Sequence, residues 1–286
     1  MNIIEQMLVK YKVTNNEEYF SAIREVMQEI ALAGLYRGNF YSKAAFYGGT
    51  ALRIFYGLDR FSEDMDFSLL EANEKFSLNP FLPYLKNEFS SLGIAVDLSI
   101  KEKTQDSNIE SAFLKTNTSI YQIGIEFNGL EKINIDRQVK IKLEVDKTPP
   151  LKFNTEDKLL LQPFSFYAKC FTLSSLFAGK MHALLFRSWK NRVKGRDWYD
   201  FEWYVRNRVP LNLVHFKERA LQSGHLTDIT RFEKHNLEEL IHNKIDSLNI
   251  ELAKNDIVKF IKDDRKIDIW SRDYFHHLVD MLNVSS

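Results

Sequence analysis

Two aspartates one residue apart open an apolar segment of this sequence, Asp64 and Asp66 in DMDFSLL. In an extended strand, residues i and i+2 point to the same side, so the two carboxylates project together. Carboxylates this close repel each other, and the pKa of one of them rises unless a cation neutralises both. A hard divalent ion such as Mg²⁺ prefers oxygen ligands and shares its coordination with water and substrate phosphates. The pair therefore indicates a metal site that also accepts a phosphate.

A Gly-Gly-Thr sequence, Gly48 to Thr50, lies where a short predicted strand, AAFYGG, meets a short predicted helix, TALRIFYG, that Gly57 ends. Glycines let a phosphate approach the backbone, and a helix N-terminus attracts anions. The Thr50 hydroxyl adds a hydrogen-bond donor. Taken singly, Gly-Gly is typical of a turn and Asp-x-Asp of a solvated strand edge. The order strand, Gly-Gly-Thr, helix, Asp-x-Asp favours a phosphate site.

The segment VKIKLEVD, residues 139–146, alternates strictly between apolar and charged residues and predicts a strand with one buried face. Glu144 and Asp146 lie on its polar face, and either is a candidate third carboxylate beside Asp64 and Asp66. Three carboxylates around two metal ions suit in-line attack on a nucleotide phosphate.

Cations gather in the second half of the chain. Lys180 lies in the apolar segment SLFAGKMHALLFR, where it either extends to the surface or binds an anion such as a phosphate. Five cations follow within ten residues, with no acid among them: Arg187, Lys190, Arg192, Lys194 and Arg196. This local basic patch suits a triphosphate or an RNA backbone, and its alternative is a solvated loop.

Two aspartates begin the helix that is predicted after the basic patch, Asp197 and Asp200 at i, i+3 spacing. Asp197 is placed to interact with the helix N-terminus. Asp200 is a candidate to hold Lys180 or Arg196 in place.

Composition limits the remaining functions. The chain has 286 residues, 44% of them apolar, and it has 39 basic and 39 acidic residues, so any basic surface must be local. A single cysteine, Cys170, excludes an internal disulfide and is typical of a reducing cytosol. We expect a cytoplasmic protein, because there is no signal-peptide pattern and no apolar stretch long enough to span a membrane. Serine-hydrolase, P-loop and dinucleotide-binding motifs are absent from the sequence.

Strand and helix patterns alternate up to about residue 155, and helical patterns then dominate. The first long helix has the capping-box spacing Thr14 to Glu17. These patterns predict an α+β domain with a mixed sheet at residues 1–155, followed by a mostly helical domain at residues 156–286.

Together the motifs resemble a known family. Gly49-Thr50 with Asp64-x-Asp66 resembles the GS-x-D-x-D signature of nucleotidyltransferases that share the polymerase-beta fold. The fuller set GGTAL, RFSEDMDF, KLEVDKTPP and KGRDWYDF, between about residues 45 and 205, is similar to the AbiEii/AbiGii family of nucleotidyltransferase toxins. Thr50 stands where the wider superfamily usually has Ser.

The resemblance implies a polymerase-beta-like domain, a helical domain that completes the nucleotide and acceptor cleft, and a set of residue roles. The expected ligands of two Mg²⁺ or Mn²⁺ ions are Asp64, Asp66 and Glu144. The expected nucleotide-binding residues are Gly48, Gly49, Thr50, Lys180 and Arg196. The expected catalytic residues are Asp64, Asp66, Lys180 and Asp197. Supporting candidates are Asp146, Asp200 and Lys194.

The resemblance also implies a function. The expected activity is transfer of a nucleoside monophosphate from a nucleoside triphosphate to an acceptor hydroxyl, by the toxin of a bacterial toxin–antitoxin system with a role in phage defence. Because some relatives modify tRNA 3′ ends, tRNA is the leading acceptor, and an antitoxin encoded nearby is the expected partner, with or without direct binding. One alternative is nucleotidylation of a protein side chain or a small molecule. Another is a catalytically silent nucleic-acid-binding module, against which the intact Gly-Gly-Thr, Asp-x-Asp and Lys180 argue.

Overall fold

A computed structural model describes residues 2–100, 109–116, 138–187 and 193–285. The helices in these ranges are α1 Ile3–Leu8, α2 Asn16–Arg37, α3 Gly48–Tyr56, α4 Leu82–Ser91, α5 Leu173–Phe186, α6 Gly195–Arg206, α7 Leu213–Gln222, α8 Lys234–Asp246, α9 Ile250–Ile257 and α10 Arg272–Asp280. The strands are β1 Ala44–Tyr47, β2 Met65–Leu69, β3 Val96–Ile100, β4 Ile109–Thr116, β5 Lys140–Asp146, β6 Thr155–Leu160, β7 Phe166–Phe171, β8 Leu211–Asn212 and β9 Val284–Ser285.

Seven of the strands form one mixed sheet in the order β3-β4-β5-β2-β1-β7-β6. β1 runs antiparallel to β2 and parallel to β7, and β2 runs parallel to β5. β4 is antiparallel to both β3 and β5. The predicted α+β class with a mixed sheet is confirmed. β6 was not predicted from the sequence, because TEDKLL is an edge strand with no fully buried residue and so lacks the apolar alternation.

The chain forms two compact units. The sheet unit comprises Met1–Ala51, Ser62–Pro149 and Asp157–Cys170, and the helical unit comprises Leu52–Phe61, Pro150–Glu156 and Phe171–Ser286. The sequence suggested a single boundary near residue 155, whereas each unit collects several segments of the chain. The assignment of 1–155 and 156–286 as functional domains stays a prediction.

The buried face of β2 decides which way its aspartate points. Met65 and Phe67 are buried, and the Phe67 ring meets Phe40 and Phe46 at centroid distances of 5.0 and 4.9 Å. Because alternate side chains of a strand face opposite sides, Asp66 must lie on the face away from these rings. The apolar residues of β2 therefore position the carboxylate.

Apolar contacts likewise fix the helices that carry the second group of candidate residues. In the helical unit, Phe177 of α5 stacks on Tyr204 of α6 at a centroid distance of 4.4 Å. Trp198 of α6 lies 5.0 Å from Phe275 of α10. Burial of aromatic rings of this size contributes a large part of a core's stability. These contacts hold α6 against α5 and against α10.

The start of α2 differs from the prediction. The helix begins at Asn16, and the side chain of Asn15 caps it by accepting a hydrogen bond from the Glu18 N–H. Thr14 instead donates its N–H and its hydroxyl to the Glu18 carboxylate, at 2.9 and 3.2 Å. The predicted Thr14–Glu17 capping box is wrong, because an asparagine one residue later makes an equally good cap.

None of the helices in the described ranges combines the length and the hydropathy that a membrane crossing requires.

Candidate active site

In the sheet unit, the Asp66 carboxylate packs against the first residue of α3. Gly48 has φ +81°, and a Cβ placed there would lie 3.1 Å from the Asp66 Cβ and would overlap its Oδ2. Glycine is therefore required twice, for the left-handed backbone and for the close approach of the carboxylate. α3 includes both glycines and begins two residues earlier than the sequence predicted.

Thr50 connects the start of α3 to the start of β2. It is 1% exposed, and its hydroxyl donates a hydrogen bond to the carbonyl of Asp64. The hydroxyl that we expected to serve as a phosphate donor is thus engaged inside the protein. The N–H groups in the first turn of an α-helix have no partner within the helix, and those of Gly49 and Thr50 belong to this turn.

The loop before β2 is also held by α2. Gln28 donates its amide to the carbonyls of Ser62 and Glu63, at 3.2 and 2.9 Å, and Arg24 pairs with the Glu63 carboxylate at 2.8 Å. Asp64, which is exposed, follows directly. Fixed neighbours on both sides limit where the Asp64 side chain can reach.

Glu144 is the β5 carboxylate that lies opposite Asp66. The two residues are partners in the parallel pairing of β2 with β5, whereas Asp146 pairs with Ser68 two residues further along. The Glu144 Oε1 atom lies 2.7 Å from the Lys142 ammonium and accepts a hydrogen bond from Ser111 at 3.2 Å. Of the two candidates for a third carboxylate, Glu144 is the one placed beside Asp66.

The carboxylates fit a metal ion that binds together with its substrate. No group of three or more His, Cys, Asp or Glu side chains in the described ranges is close enough to hold an ion alone. Mg²⁺, however, commonly takes one or two carboxylates and completes its octahedral coordination with water and substrate phosphates. The carboxylate oxygens of Asp64 and Asp66 are of the type that such an ion prefers, and a metal role for Asp64, Asp66 and Glu144 stays a prediction.

In the helical unit, Lys180 of α5 contacts both aspartates of α6. Its ammonium lies 2.8 Å from the Asp197 Oδ1 and 2.8 Å from the Asp200 Oδ2. Arg60 binds the same Asp200 carboxylate through two hydrogen bonds, each of 2.6 Å. We call these four side chains the charge cluster: Arg60, Lys180, Asp197 and Asp200.

The charge cluster keeps Lys180 and Asp200 ionised. Burial alone lowers the pKa of Lys180, but the Asp197 and Asp200 carboxylates outweigh it, and the pKa lies above its ordinary value. Burial raises the pKa of Asp200, but the Arg60 and Lys180 cations outweigh this and hold the pKa below its usual range. Lys180 is therefore a cation at neutral pH, although it is largely buried.

The basic patch is described only at its ends. Arg196 stacks its guanidinium over the Phe260 ring at 4.1 Å, and Lys194 directly precedes α6. Arg187 follows the end of α5. The two remaining cations of the patch, Lys190 and Arg192, lie outside the described residues.

Arg60 is the member of the charge cluster to which sequence reasoning assigned no role. It stands 140 residues before its partner Asp200, so no local spacing connects them. The only signal was its place at the start of the motif RFSEDMDF.

Three solved structures that match this chain have low sequence identity to it. Two are from Helicobacter pylori, one described as a nucleotidyltransferase and one as JHP933; each has 18% identity and a TM-score of 0.49. They cover 90% and 91% of this chain, and 91% and 89% of their own. MenT4, a nucleotidyltransferase toxin from Mycobacterium tuberculosis, has 13% identity and a TM-score of 0.48, over 97% of this chain and 86% of its own. No curated protein matches the chain.

The family comparison covers nearly the whole sequence. Residues 16–283 match the model of the nucleotidyl transferase AbiEii toxin family of type IV toxin–antitoxin systems. A match of this extent includes Asp64, Asp66 and the charge cluster. The chain therefore belongs to the AbiEii family of nucleotidyltransferase toxins, whose members use a nucleoside triphosphate and are paired with an antitoxin.

Proposed function

We propose that this toxin transfers a nucleoside monophosphate to the 3′ hydroxyl of tRNA in a reaction that depends on a divalent metal ion. The hydroxyl oxygen attacks the α-phosphorus, the bond from that phosphorus to the bridging oxygen breaks, and pyrophosphate leaves. The observation that carries the proposal is the contact of Asp66 with Gly48. It brings an oxygen ligand for a metal ion against a helix N-terminus that attracts phosphate.

The phosphate groups would be bound by the backbone of α3. The N–H groups of Gly49 and Thr50 donate to the terminal phosphates, and the helix N-terminus adds a favourable electrostatic potential. Because the Thr50 hydroxyl holds the Asp64 carbonyl, Thr50 contributes to this cradle through its backbone and fixes the first metal ligand through its side chain.

Asp64 and Asp66 would hold Mg²⁺ or Mn²⁺, in two-ion form with Glu144 as the third carboxylate. A bound ion supplies a Lewis acid that stabilises charge on the phosphoryl oxygens and lowers the pKa of the attacking hydroxyl. For Glu144 to take part, its carboxylate must exchange the Lys142 ammonium, now at 2.7 Å, for the ion. Asp146 is an alternative ligand two residues further along β5.

Lys180 would bind the triphosphate by exchanging one anionic partner for another. Its side chain is 16% exposed, and its ammonium rests on Asp197 at 2.8 Å. Asp197 thus orients the lysine until a phosphate competes for it, and Arg196 and Lys194 add positive charge at the start of α6.

RNA is favoured as acceptor by the basic patch, which could bind the phosphates of a nucleic acid. Modification of tRNA ends would stop translation, which suits a toxin that acts in the cytoplasm during phage infection and is counteracted by its antitoxin. No contact in the described residues specifically favours a protein or small-molecule acceptor.

The acceptor is tested by incubating purified protein with each of the four α-³²P-labelled triphosphates, Mg²⁺ and a bacterial extract. The labelled products are then digested with ribonuclease or with protease. We expect a labelled band of tRNA size that ribonuclease removes and protease leaves intact. Label that resists ribonuclease but not protease would refute the tRNA acceptor, and so would label confined to small molecules.

A further inference from the structure

Arg60 is the most deeply buried cation of the charge cluster. Its side chain is 2% exposed, and Asp200 is 0% exposed. The guanidinium Nε and Nη2 atoms each donate to one oxygen of Asp200 at 2.6 Å, and Nη1 donates to the Phe61 carbonyl at 3.0 Å. The Phe61 N–H in turn donates to the Phe260 carbonyl at 3.0 Å. Three side-chain hydrogen bonds thus fix Arg60, and the backbone of the next residue, Phe61, is held as well.

The two cations of the charge cluster contact its two carboxylates differently. Arg60 occupies both oxygens of Asp200, which is the strongest geometry for this pair of groups. Lys180 shares only the Oδ2 atom of Asp200 and has its other contact with Asp197. Two cations and two carboxylates leave the charge cluster neutral as a whole.

Without Arg60, a buried carboxylate would have Lys180 as its only cation within the charge cluster. A buried charge that loses its partner is strongly unfavourable, so Asp200 would hold the remaining ammonium more tightly. A phosphate that competes for Lys180 would then have to leave Asp200 without a counter-charge. Because Arg60 already neutralises Asp200, a phosphate can bind Lys180 without the free-energy cost of an unpaired buried carboxylate.

Exposure supports the same division of roles. Lys180 has 16% of its side chain exposed, so it is the cation that a ligand can reach, whereas Arg60 cannot reach solvent without unfolding its surroundings. Lysine also has a flexible four-carbon chain that can redirect its ammonium, and arginine has a rigid fork suited to a fixed pair.

We propose that Arg60 is a positioning residue for nucleotidyl transfer, whose pairing with Asp200 leaves the Lys180 ammonium free to exchange Asp197 for the triphosphate. The inference rests on the proposed function, in which Lys180 binds phosphate. Arg60 itself touches neither the nucleotide nor the acceptor.

The test measures the affinity of the full chain for the non-hydrolysable α,β-methylene forms of the four triphosphates, with Mg²⁺ present. The variants are Arg60→Gln, Asp200→Asn and the double variant Arg60→Gln/Asp200→Asn, studied at a temperature where each is folded. We expect Arg60→Gln to weaken binding about tenfold or more, within the usual range of coupling between groups. The double variant should recover most of that loss, because it no longer contains the uncompensated carboxylate.

A purely structural role for Arg60 predicts a different pattern, in which every folded variant binds the analogues equally. Equal affinities, or no recovery in the double variant, would overturn the proposal. If Arg60→Gln does not fold, Arg60→Lys carries the test, since an ammonium cannot occupy both Asp200 oxygens. Its affinity should fall about fivefold and recover in Arg60→Lys/Asp200→Asn.

Failure of the proposed function gives a separate result. If the wild type binds an analogue but labels no RNA in the transfer assay, the tRNA acceptor is wrong, and the order of affinities still decides the role of Arg60. If the wild type binds none of the four analogues, both proposals fail.

Discussion

The Asp66 side chain owes its position partly to the lack of a side chain at Gly48. The buried neighbours Met65 and Phe67 set the face on which it lies, and the missing Cβ of Gly48 lets its carboxylate reach the start of α3. The first effect follows from the period of a strand and was predicted from the sequence. The second depends on how β2 meets α3 in space, and no spacing in the sequence contains it.

Replacement of Gly48 by alanine tests this contact, and Gly57→Ala is its matched control. Both glycines have φ near +80°, but a Cβ at Gly57 would meet nothing within 4 Å. Gly57→Ala should lower the free energy of unfolding by about 1–2 kcal/mol, from backbone strain alone. Gly48→Ala should cost more and should slow label transfer about a hundredfold, because it displaces the Asp66 carboxylate.

Thermal unfolding and label transfer, measured on both variants, separate the two effects. If Gly48→Ala retains wild-type transfer, or if Gly57→Ala loses as much transfer, the contact of Asp66 with the start of α3 is not needed for activity.

At the scale of elements, the strands and helices that bury a regular apolar face were predicted from the sequence. β2 and β5 alternate cleanly, and the segments that form α5 and α6 read as helices. The edge strand β6 was missed because its exposed face and its partly exposed face give no clear alternation. The apolar periodicity of a sequence shows which elements bury one face, and this signal is weak for an element that buries neither face.

The packing of α6 on α9 carries the element-scale prediction. A Cβ on Gly195, the first residue of α6, would overlap the carbonyl oxygen of Ala253 in α9. Gly195→Ala should therefore lower the free energy of unfolding by about 1–3 kcal/mol, as overpacking does. It should also reduce label transfer, because a shift of α6 moves Asp197 away from Lys180.

Gly179→Ala is the control, since Gly179 lies inside α5 and a Cβ there would meet nothing within 4 Å. This variant should raise the free energy of unfolding by about 0.5–1 kcal/mol, because alanine favours the helix over glycine. Chemical denaturation measures both values. Equal effects of the two variants would mean that α6 and α9 do not meet this closely.

At the scale of the whole molecule, the order of the strands and the long-range pairs lay beyond the sequence. The parallel pairing of β2 with β5 places Glu144 opposite Asp66. The apolar alternation of each strand would be equally consistent with an antiparallel neighbour. The ion pair of Arg60 with Asp200 joins residues 140 positions apart, and it can be recognised only in the folded helical unit. The order of the motifs indicated the family, whereas the partners of the individual side chains depend on tertiary packing.

The proposed function depends most on the participation of the Asp66 carboxylate in nucleotidyl transfer. The direct measurement is the rate of label transfer from α-³²P triphosphates to tRNA by the wild type, by Asp66→Asn and by Asp97→Asn. Asp97 is an exposed residue of the edge strand β3, so its variant makes the same change of charge at a remote position.

We predict that Asp97→Asn labels tRNA at the wild-type rate. Asp66→Asn should fold with an unchanged melting temperature to within a few degrees but label tRNA about a hundredfold more slowly or less, because the site loses an anionic oxygen ligand where phosphoryl charge develops. A folded Asp66→Asn protein that labels tRNA at the wild-type rate would contradict the account.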